Sequence, residues 1–317
     1  MHILVTGGAG FIGSHIVEYH LNKGDTVYAV DDLSTGSIQN LKPFENHPNF
    51  RFDSADISNW SELDKAVAWA DRIYHMAAVV GVYKVLDDPL RVLSVNITAC
   101  ERLLNEIKIS GWKPRVIIAS SSEVYGSSKK EFLSEDDDLI IDAHAKNRWN
   151  YPISKLADEA IGLSSYNVNN IPVTLVRFFN TVGPRQTGQY GMVVPRFVKQ
   201  ALAEEDITVF GDGNQTRSFC DVRDTVNMLD MLANTEKSIG EIVNVGNDRE
   251  ITINELAALV KTLIKSKSKV KNIPYKEAYG QEYFDIPRRR PNLKKLNSLI
   301  SYQHQWTLED TINDLIK

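Results

Sequence analysis

Tyr151 and Lys155 stand four residues apart in Tyr151-Pro-Ile-Ser-Lys155. On a helix that spacing puts both side chains on one face, about 6 Å apart along the axis. Pro152 suits the first turn of such a helix, where its missing N–H costs nothing. A phenol ordinarily titrates near about 10. A neighbouring ammonium favours the phenolate and lowers that value, which would make the pair a general base near neutral pH. The same spacing also fits an ordinary amphipathic helix with one aromatic and one lysine. A second group, Ser120-Ser121-Ser122-Glu123-Val-Tyr-Gly126, directly follows an apolar run. Its serines could hydrogen-bond a substrate hydroxyl while Tyr151 removes the proton. Glu123 could act as an acid or a base, or merely cap a turn.

The third group opens the chain: His2-Ile-Leu-Val-Thr6, then glycines at Gly7, Gly10 and Gly13 with Phe11 and Ile12 between them. A short buried strand, a glycine turn and a helix N-terminus make a cradle for a pyrophosphate, because the free N–H groups and the positive helix end attract the anion. A second strand, Thr26–Val30, runs into Asp31. An acidic side chain there can take both ribose hydroxyls, which favours NAD over NADP. Asp31 and its neighbour Asp32 are equally suited to a turn or a helix cap. No Gly-Lys-Ser/Thr closes the loop, so a P-loop is excluded. A bound nicotinamide cation would lower the Tyr151 pKa further.

These groups need a scaffold, and the sequence supplies one. Apolar strand-like runs near 2–6, 26–30, 50–52, 72–76, 115–120 and 173–178 alternate with helix-like stretches near 13–22, 60–68, 96–110 and 152–166. Such alternation predicts an α/β fold, a Rossmann-type doubly wound parallel sheet. Ligands in these sheets bind beyond the carboxyl ends of the strands. That places Gly7–Gly13, Asp31, Asp56 with Ile57, Ala77 to Gly81 (including Ala78 and Val80), Ser120–Glu123 and Asn180 at the site. Beyond residue 180 the pattern shifts to glycine-punctuated loops, a helix near 196–203, strands near 207–210 and 241–245, and helices near 253–265 and 308–316. We expect residues 1–180 to form the nucleotide-binding domain and 181–317 a smaller α/β substrate-binding lid, with the chain free to cross between them.

The 317 residues are enough for about two domains. A net charge of −5 gives no bulk attraction to nucleic acid or an anionic membrane. The lysines at 261, 265, 267, 269 and 271 read as a solvated face rather than a binding patch. Cys100 and Cys220 lack metal or redox spacing, so no metal is expected. No apolar stretch is long enough to cross a bilayer, and no signal peptide is seen before the glycine run. A cytoplasmic protein is expected.

The glycine run, Ser121 and Tyr151-x-x-x-Lys155, in this order, resemble the extended short-chain dehydrogenase/reductase superfamily, and within it the nucleotide-sugar epimerases, dehydratases and decarboxylases. Arg177-Phe-Phe-Asn-Thr-Val-Gly-Pro-Arg185, Val194-Pro-Arg-Phe197, Gly211-Asp-Gly-Asn-Gln-Thr-Arg-Ser-Phe219 and Arg288-Arg-Arg-Pro291 extend the likeness over essentially the whole chain. The resemblance implies that Asn180 and Arg217 hold a diphosphate and that residues from Val194 to Phe197 contact the base. It also implies that Tyr151 takes the proton of the sugar 4-hydroxyl as C4 passes hydride to NAD, that Ser121 steadies the oxygen, and that Lys155 tunes Tyr151 and holds the nicotinamide ribose. The resulting 4-keto sugar can be reduced from the other face, lose water across C5 and C6, or lose carbon dioxide where C5 bears a carboxylate. Ser122-Glu123 departs from the Asp-Glu of many sugar dehydratases, and Glu123 counts modestly against simple epimerisation. Arg148-Trp-Asn-Tyr-Pro-Ile-Ser-Lys155 and Tyr279-Gly-x-x-Tyr283-x-Asp-Ile-Pro-Arg-Arg-Arg-Pro291 resemble the decarboxylase domain of the bacterial aminoarabinose pathway. There Arg289 aligns with an arginine near the sugar acid, though a guanidinium serves a diphosphate equally well. The expectation is a UDP-glucuronate decarboxylase acting as a homodimer through helices near 96–110 and 151–166. A UDP-hexose or UDP-hexuronate 4-epimerase is the alternative, then a 4,6-dehydratase. A silent NAD-binding sensor is the reading from another class, and the intact Ser121, Tyr151 and Lys155 speak against it.

Overall fold

The computed structural model describes residues 1–142, 149–188, 191–280 and 285–317; Arg148 and Tyr283 lie outside them. The first part of the chain runs β1 (His2–Thr6), α1 (Phe11–Asn22), β2 (Thr26–Asp31), β3 (Phe50–Ser54), α2 (Leu63–Trp69), β4 (Arg72–His75), α3 (Val82–Asp87), α4 (Pro89–Ser110), β5 (Arg115–Ser121), α5 (Asn150–Asn169) and β6 (Val173–Phe178). The remainder runs β7 (Thr181–Val182), α6 (Val193–Leu202), β8 (Ile207–Phe210), β9 (Thr216–Ser218), β10 (Cys220–Asp221), α7 (Val222–Ala233), β11 (Ile242–Val245), β12 (Glu250–Thr252), α8 (Ile253–Ile264), β13 (Val270–Ile273), α9 (Tyr275–Tyr279), β14 (Arg288–Arg289), α10 (Lys294–Ile300) and α11 (Leu308–Ile316).

Seven strands form one parallel sheet in the order β11-β6-β5-β4-β1-β2-β3. The side-chain alternation of a strand explains how it is covered on both faces. Ile3, Val5, Val27 and Ala29 enter one apolar layer with Ile16 and Val17 of α1 and Leu229 and Leu232 of α7. Leu4, Tyr28 and Val30 enter the other with Leu63 of α2 and Leu103 and Ile107 of α4. A third apolar cluster joins Phe197, Val209, Leu256 and Ile312 from α6, β8, α8 and α11.

The first six strands and most helices lie where the apolar patterning puts them. α4, however, starts at Pro89 rather than Asn96, because the Asp88 side chain caps it by accepting the Arg91 N–H at 3.1 Å and Pro89 occupies its first turn. The strand expected near 241–245 is β11, and it pairs with β6, so the chain re-enters the main sheet before β12, β13 and β14 complete the small ones. Among the described residues no helix is long and apolar enough to cross a membrane.

Three histidines, His15, His20 and His75, are buried in this frame, and burial lowers the pKa of each. His75 Nδ1 lies 2.8 Å from Thr6 Oγ1, its Nε2 has no hydrogen-bond partner among the described residues, and burial pushes its pKa down to about 3. Burial likewise lowers His15 to about 4. Their unfolded-state value is 6.5, so below that pH the unfolded chain takes up protons that the folded protein refuses. Stability should be unaffected by these groups above pH 6.5. It should fall as pH drops below that, by up to about 1.4 kcal/mol per pH unit for each histidine. Thermal melts between pH 7 and 4.5 will show the slope, and His75→Gln should flatten it; an equal slope in the variant would exclude His75 as a source.

Candidate active site

The switch point of the sheet falls at β1, whose neighbours β2 and β4 leave in opposite directions. The glycine loop fills that point. Gly7 has φ +71, a conformation side chains rarely adopt, and its carbonyl oxygen would lie 2.0 Å from a Cβ at Gly13. Glycine at both positions is therefore a condition for α1 to start directly on the turn. Gly10 is the N-terminal cap of α1 and contributes no side chain there. Asp31, at the end of β2, accepts the N–H groups of Ala9 at 3.1 Å and Leu33 at 2.8 Å. It thus braces the glycine loop as well as facing the cavity. Burial holds its carboxyl above the usual range, against the backbone N–H groups that lower it. Asp32 takes the turn role, accepting from the Ser34 N–H and hydroxyl.

A cavity of about 730 Å³ opens over these strand ends. It is lined by Gly7, Gly10, Phe11, Ile12, Gly13, Asp31, Asp32, Asp56, Ile57, Ala77, Ala78, Val80, Ser121, Ser122, Glu123, Tyr151, Lys155, Asn180 and Arg289. A neighbouring cavity of about 180 Å³ is lined by Val194 and Arg217 together with Phe210, Tyr275 and Tyr279. Val80, Glu123, Tyr151, Asn180 and Arg289 line both. Of the stretch expected to contact the base, Val194 and Arg196 border the smaller cavity, whereas Phe197 is fully buried in the third apolar cluster and lines neither.

At the centre, Ser121 ends β5 and its hydroxyl oxygen accepts the Glu123 N–H at 3.2 Å, capping the short 3₁₀ turn over 122–125. Ser121, rather than Glu123, is the capping residue of that turn. Glu123 Oε1 instead accepts from Arg289 Nη1 at 3.2 Å, while Arg289 Nη2 donates to Asn180 Oδ1 at 2.9 Å. Ser120 is turned elsewhere: its hydroxyl donates to Glu159, which pairs with Arg177. Ser122 is buried and lines the larger cavity.

Tyr151 and Lys155 share the first turns of α5, and both border the larger cavity. The chain's own groups hold the Tyr151 phenol above its ordinary value. Burial raises it more than the Lys155 ammonium and a hydrogen bond from Ser121 lower it, and Glu123 adds to the rise. The lowered value expected from the lysine alone is thus overturned by desolvation. Lys155 is fully buried and pairs with Asp158 Oδ2 at 3.0 Å.

Arg217 is buried, donating to the carbonyls of Thr216 and Ile286 and to Asp285 at 2.7 Å. Parallel pairing of β14 with β9 sets Arg289 opposite Arg217, which brings two distant sequence stretches to one wall. Sequence reasoning passed over Asn96, buried in α4: its Oδ1 accepts the Val79 N–H at 2.7 Å and its Nδ2 donates to Ser154 at 3.0 Å, tying the loop after β4 to α5. A helix start at Pro89 would have put it on the inner face. Arg185, which borders the larger cavity and pairs with Glu18 of α1, was also passed over as a site residue.

The chain was compared with known proteins. A family model described as GDP-mannose 4,6 dehydratase matches residues 4–315. A UDP-N-acetyl-alpha-D-glucosaminuronate decarboxylase of Bacillus cytotoxicus is 36% identical over 99% of this chain and 96% of its own. UDP-glucuronic acid decarboxylase 1 of Danio rerio is 34% identical over 99% of this chain and 72% of its own. The structure of UDP-glucuronic acid 4-epimerase from Bacillus cereus, in complex with UDP-glucuronic acid and NAD, superposes with a TM-score of 0.89 at 28% identity, covering 100% of this chain and 98% of that one. The chain belongs to the GDP-mannose 4,6 dehydratase family, among the extended short-chain dehydrogenase/reductase enzymes that modify nucleotide sugars.

Proposed function

We propose that the protein is an NAD-dependent decarboxylase of a UDP-linked sugar acid, with UDP-glucuronate or its 2-acetamido analogue as substrate. The observation that carries this reading is Arg289, which borders both cavities beside Tyr151 and is braced by Glu123 and Asn180. A guanidinium so held can receive a sugar carboxylate next to the phenol. Similarity to the decarboxylases of Bacillus cytotoxicus and Danio rerio supports the same choice.

The residues present fit the cofactor. A Cβ at Gly7 would collide with the backbone of Met76 and Ala77, and one at Gly13 with Gly7, so the loop closes only with glycine; Gly7, Gly10 and Gly13 then line the cavity without side chains, which suits a pyrophosphate packed on backbone. Gly7, Gly10, Phe11, Ile12 and Gly13 would hold that pyrophosphate and Asp31 the adenosine ribose. Asp32, Asp56 and Ile57 would border the adenosine half, and Ala77, Ala78, Tyr151 and Lys155 the nicotinamide half. When bound, NAD accepts hydride from C4 of the sugar and later returns it. Tyr151 takes the 4-hydroxyl proton, steadied by Ser121, with Ser122 beside it. The C5 carboxylate of the 4-keto sugar then lies β to a carbonyl. Loss of carbon dioxide leaves an electron pair that flows into C4–O, where the protonated Tyr151 can stabilise the enolate. Glu123 stands beside Tyr151 as the second proton carrier. Arg217 and Asn180 would meet the diphosphate, and Val80 and Val194 the sugar and base.

This reading makes the enzyme a lyase, where an epimerase would be an isomerase. It divides the chain near residue 180 into a nucleotide-binding part and a mainly substrate-binding part, interleaved through β11. A homodimer is part of it, formed on α4 and α5, whose Leu90, Ile109, Ile153 and Val168 are exposed. A cytoplasmic setting fits two buried free thiols, Cys100 and Cys220.

Proton NMR of the protein with NAD and UDP-glucuronate, then the acetamido analogue, tests the reaction. Loss of the carboxylated sugar with new UDP-pentose or UDP-4-keto-pentose signals is expected, and Tyr151→Phe should abolish it while NAD stays bound. Appearance of the 4-epimer without loss of carbon would make the enzyme a hexuronate epimerase. NAD binding with every UDP-sugar untouched would leave a sensor. Arg289→Gln should raise KM for the UDP-sugar acid by on the order of ten- to a hundredfold, the cost of one or two charge-assisted hydrogen bonds. Its effect on UDP-glucose binding should be far smaller; equal losses would move Arg289 to the diphosphate. Light scattering should give twice the chain mass of 35.7 kDa, and a monomer would contradict the α4–α5 interface.

A further inference from the structure

We propose that Asp158 is a positioning residue for the Tyr151–Lys155 pair: its carboxylate, one helical turn past Lys155 on α5, anchors the buried ammonium at the floor of the site and keeps it charged. The proposal rests on the catalytic role given to Tyr151 and Lys155 above.

The geometry is that of a closed ion pair. Lys155 Nζ lies 3.0 Å from Asp158 Oδ2, and the two side chains are 2% and 1% exposed. Both belong to α5, three residues apart, so the pair forms within a single rigid element. Asp158 Oδ1 is buried and, among the described residues, has no nitrogen or oxygen partner, while the Cys100 thiol offers Asp158 a weak hydrogen bond. Both side chains are almost wholly buried, so each depends chiefly on the other for its charge.

The groups around them decide what the pair does. From α4 the Cys100 thiol faces Asp158, and from β4 the fully buried His75 faces Lys155. On α5 itself Glu159 faces Asp158, but it is engaged by Arg177. Tyr151 is faced by Lys155 and Asp158 from its own helix, by Ser121 at the end of β5 and by Glu123 from the turn after it. His75 is held neutral by burial and the Cys100 thiol is pushed up by it, so neither can replace the carboxylate. Burial acts to lower the lysine, and Asp158 first, then Tyr151, outweigh it and hold Lys155 above the ordinary lysine range. Without Asp158 the burial term would dominate. Buried lysines lacking a counter-ion are known to lose their charge several pH units early. A neutral Lys155 would no longer favour the phenolate and would lose one donor hydrogen toward a ribose.

The pair also limits itself. Asp158 opposes the phenolate directly, by charge repulsion across the helix turn. It therefore supplies Lys155 with charge at the cost of part of that charge's effect on Tyr151, which agrees with a phenol standing above its ordinary value.

Lysines carrying ¹³C at Cε allow a test that needs no turnover, with Lys155 assigned by its loss in Lys155→Arg. In the wild-type protein the Lys155 signal should not titrate below pH 10.5. In Asp158→Asn, which keeps the shape and removes the charge, it should titrate at least two pH units lower than in the wild type. Activity should follow with a definite sign. The charge is lost as pH rises through the lowered value, so the alkaline limb of the kcat profile should move down by the same interval. Near pH 8 kcat should fall about tenfold or more, with KM for the UDP-sugar changed less than threefold, and Asp158→Glu should recover most of the loss. A Lys155 signal that titrates identically in Asp158→Asn, or an alkaline limb that stays in place, would overturn the proposal. Should Asp158→Asn fail to fold, the wild-type titration decides alone: a Lys155 that loses its proton below the ordinary lysine range is not held by Asp158. A protein inert toward every UDP-sugar yet showing the wild-type titration would remove the proposed reaction and leave the ion pair standing.

Discussion

A parallel sheet covered on both faces leaves almost no room for polar chemistry, and this constraint shapes the rest of the molecule. Successive residues of each strand feed opposite apolar layers, so Ile3 and Val5 serve one and Leu4 the other. Polar side chains can gather only where strands end. The carboxyl edge is that place, and the glycine loop, Asp31, Ser121 and Asn180 all stand on it or just beyond it. Charges that fall inside the layers must arrive already paired, as Lys155 does with Asp158 and Arg177 with Glu159. The site is assembled from the few positions at which the fold tolerates polarity.

The second constraint concerns how the distant half of the chain reaches that edge. Asn180 leaves β6 directly into the cavity, but Arg289 comes from a strand of two residues near the end of the chain. Its position is set by pairing with β9, where Arg289 stands opposite Arg217. The contact to Glu123 then closes the wall between the two cavities. The glycines at the head of the chain fix one side of the pocket, and the small sheets fix the other.

These two constraints also explain what could be read in the sequence. Tyr151 and Lys155 declared themselves because four residues on a helix is a geometric statement. The glycine loop did so because its spacing reports backbone that must come close. Alternating apolar runs gave the strand positions almost to the residue, since burial on two faces leaves a strong pattern. What stayed hidden is non-local or depends on desolvation. No spacing relates Arg289 to Glu123 or Asn180; only the register of β14 on β9 does. Asn96 and Asp158 are short polar residues in amphipathic helices and look solvated until the helix faces are known. The Tyr151 environment is hidden for a related reason: the sequence displays the lysine that lowers its pKa and conceals the burial that outweighs it. β11 was placed as a strand but not in its sheet, because a short run carries no record of its partner.

The return of β11 to the main sheet bears on the order in which the chain can be made and folded. β6 carries hydrogen-bonding groups along both edges, and β11 satisfies one of them. While the protein emerges from the ribosome, that edge stays open until the helices and small strands between Thr181 and Ala233 have been synthesised. Non-local parallel pairings of this kind are slow to form, and an open apolar edge invites other chains. A fragment ending near residue 180 would contain the whole glycine loop and Tyr151, yet it would present Val173, Leu175 and Val176 on an unfinished border. The nucleotide-binding half is thus complete in its chemistry well before it is complete as a soluble body.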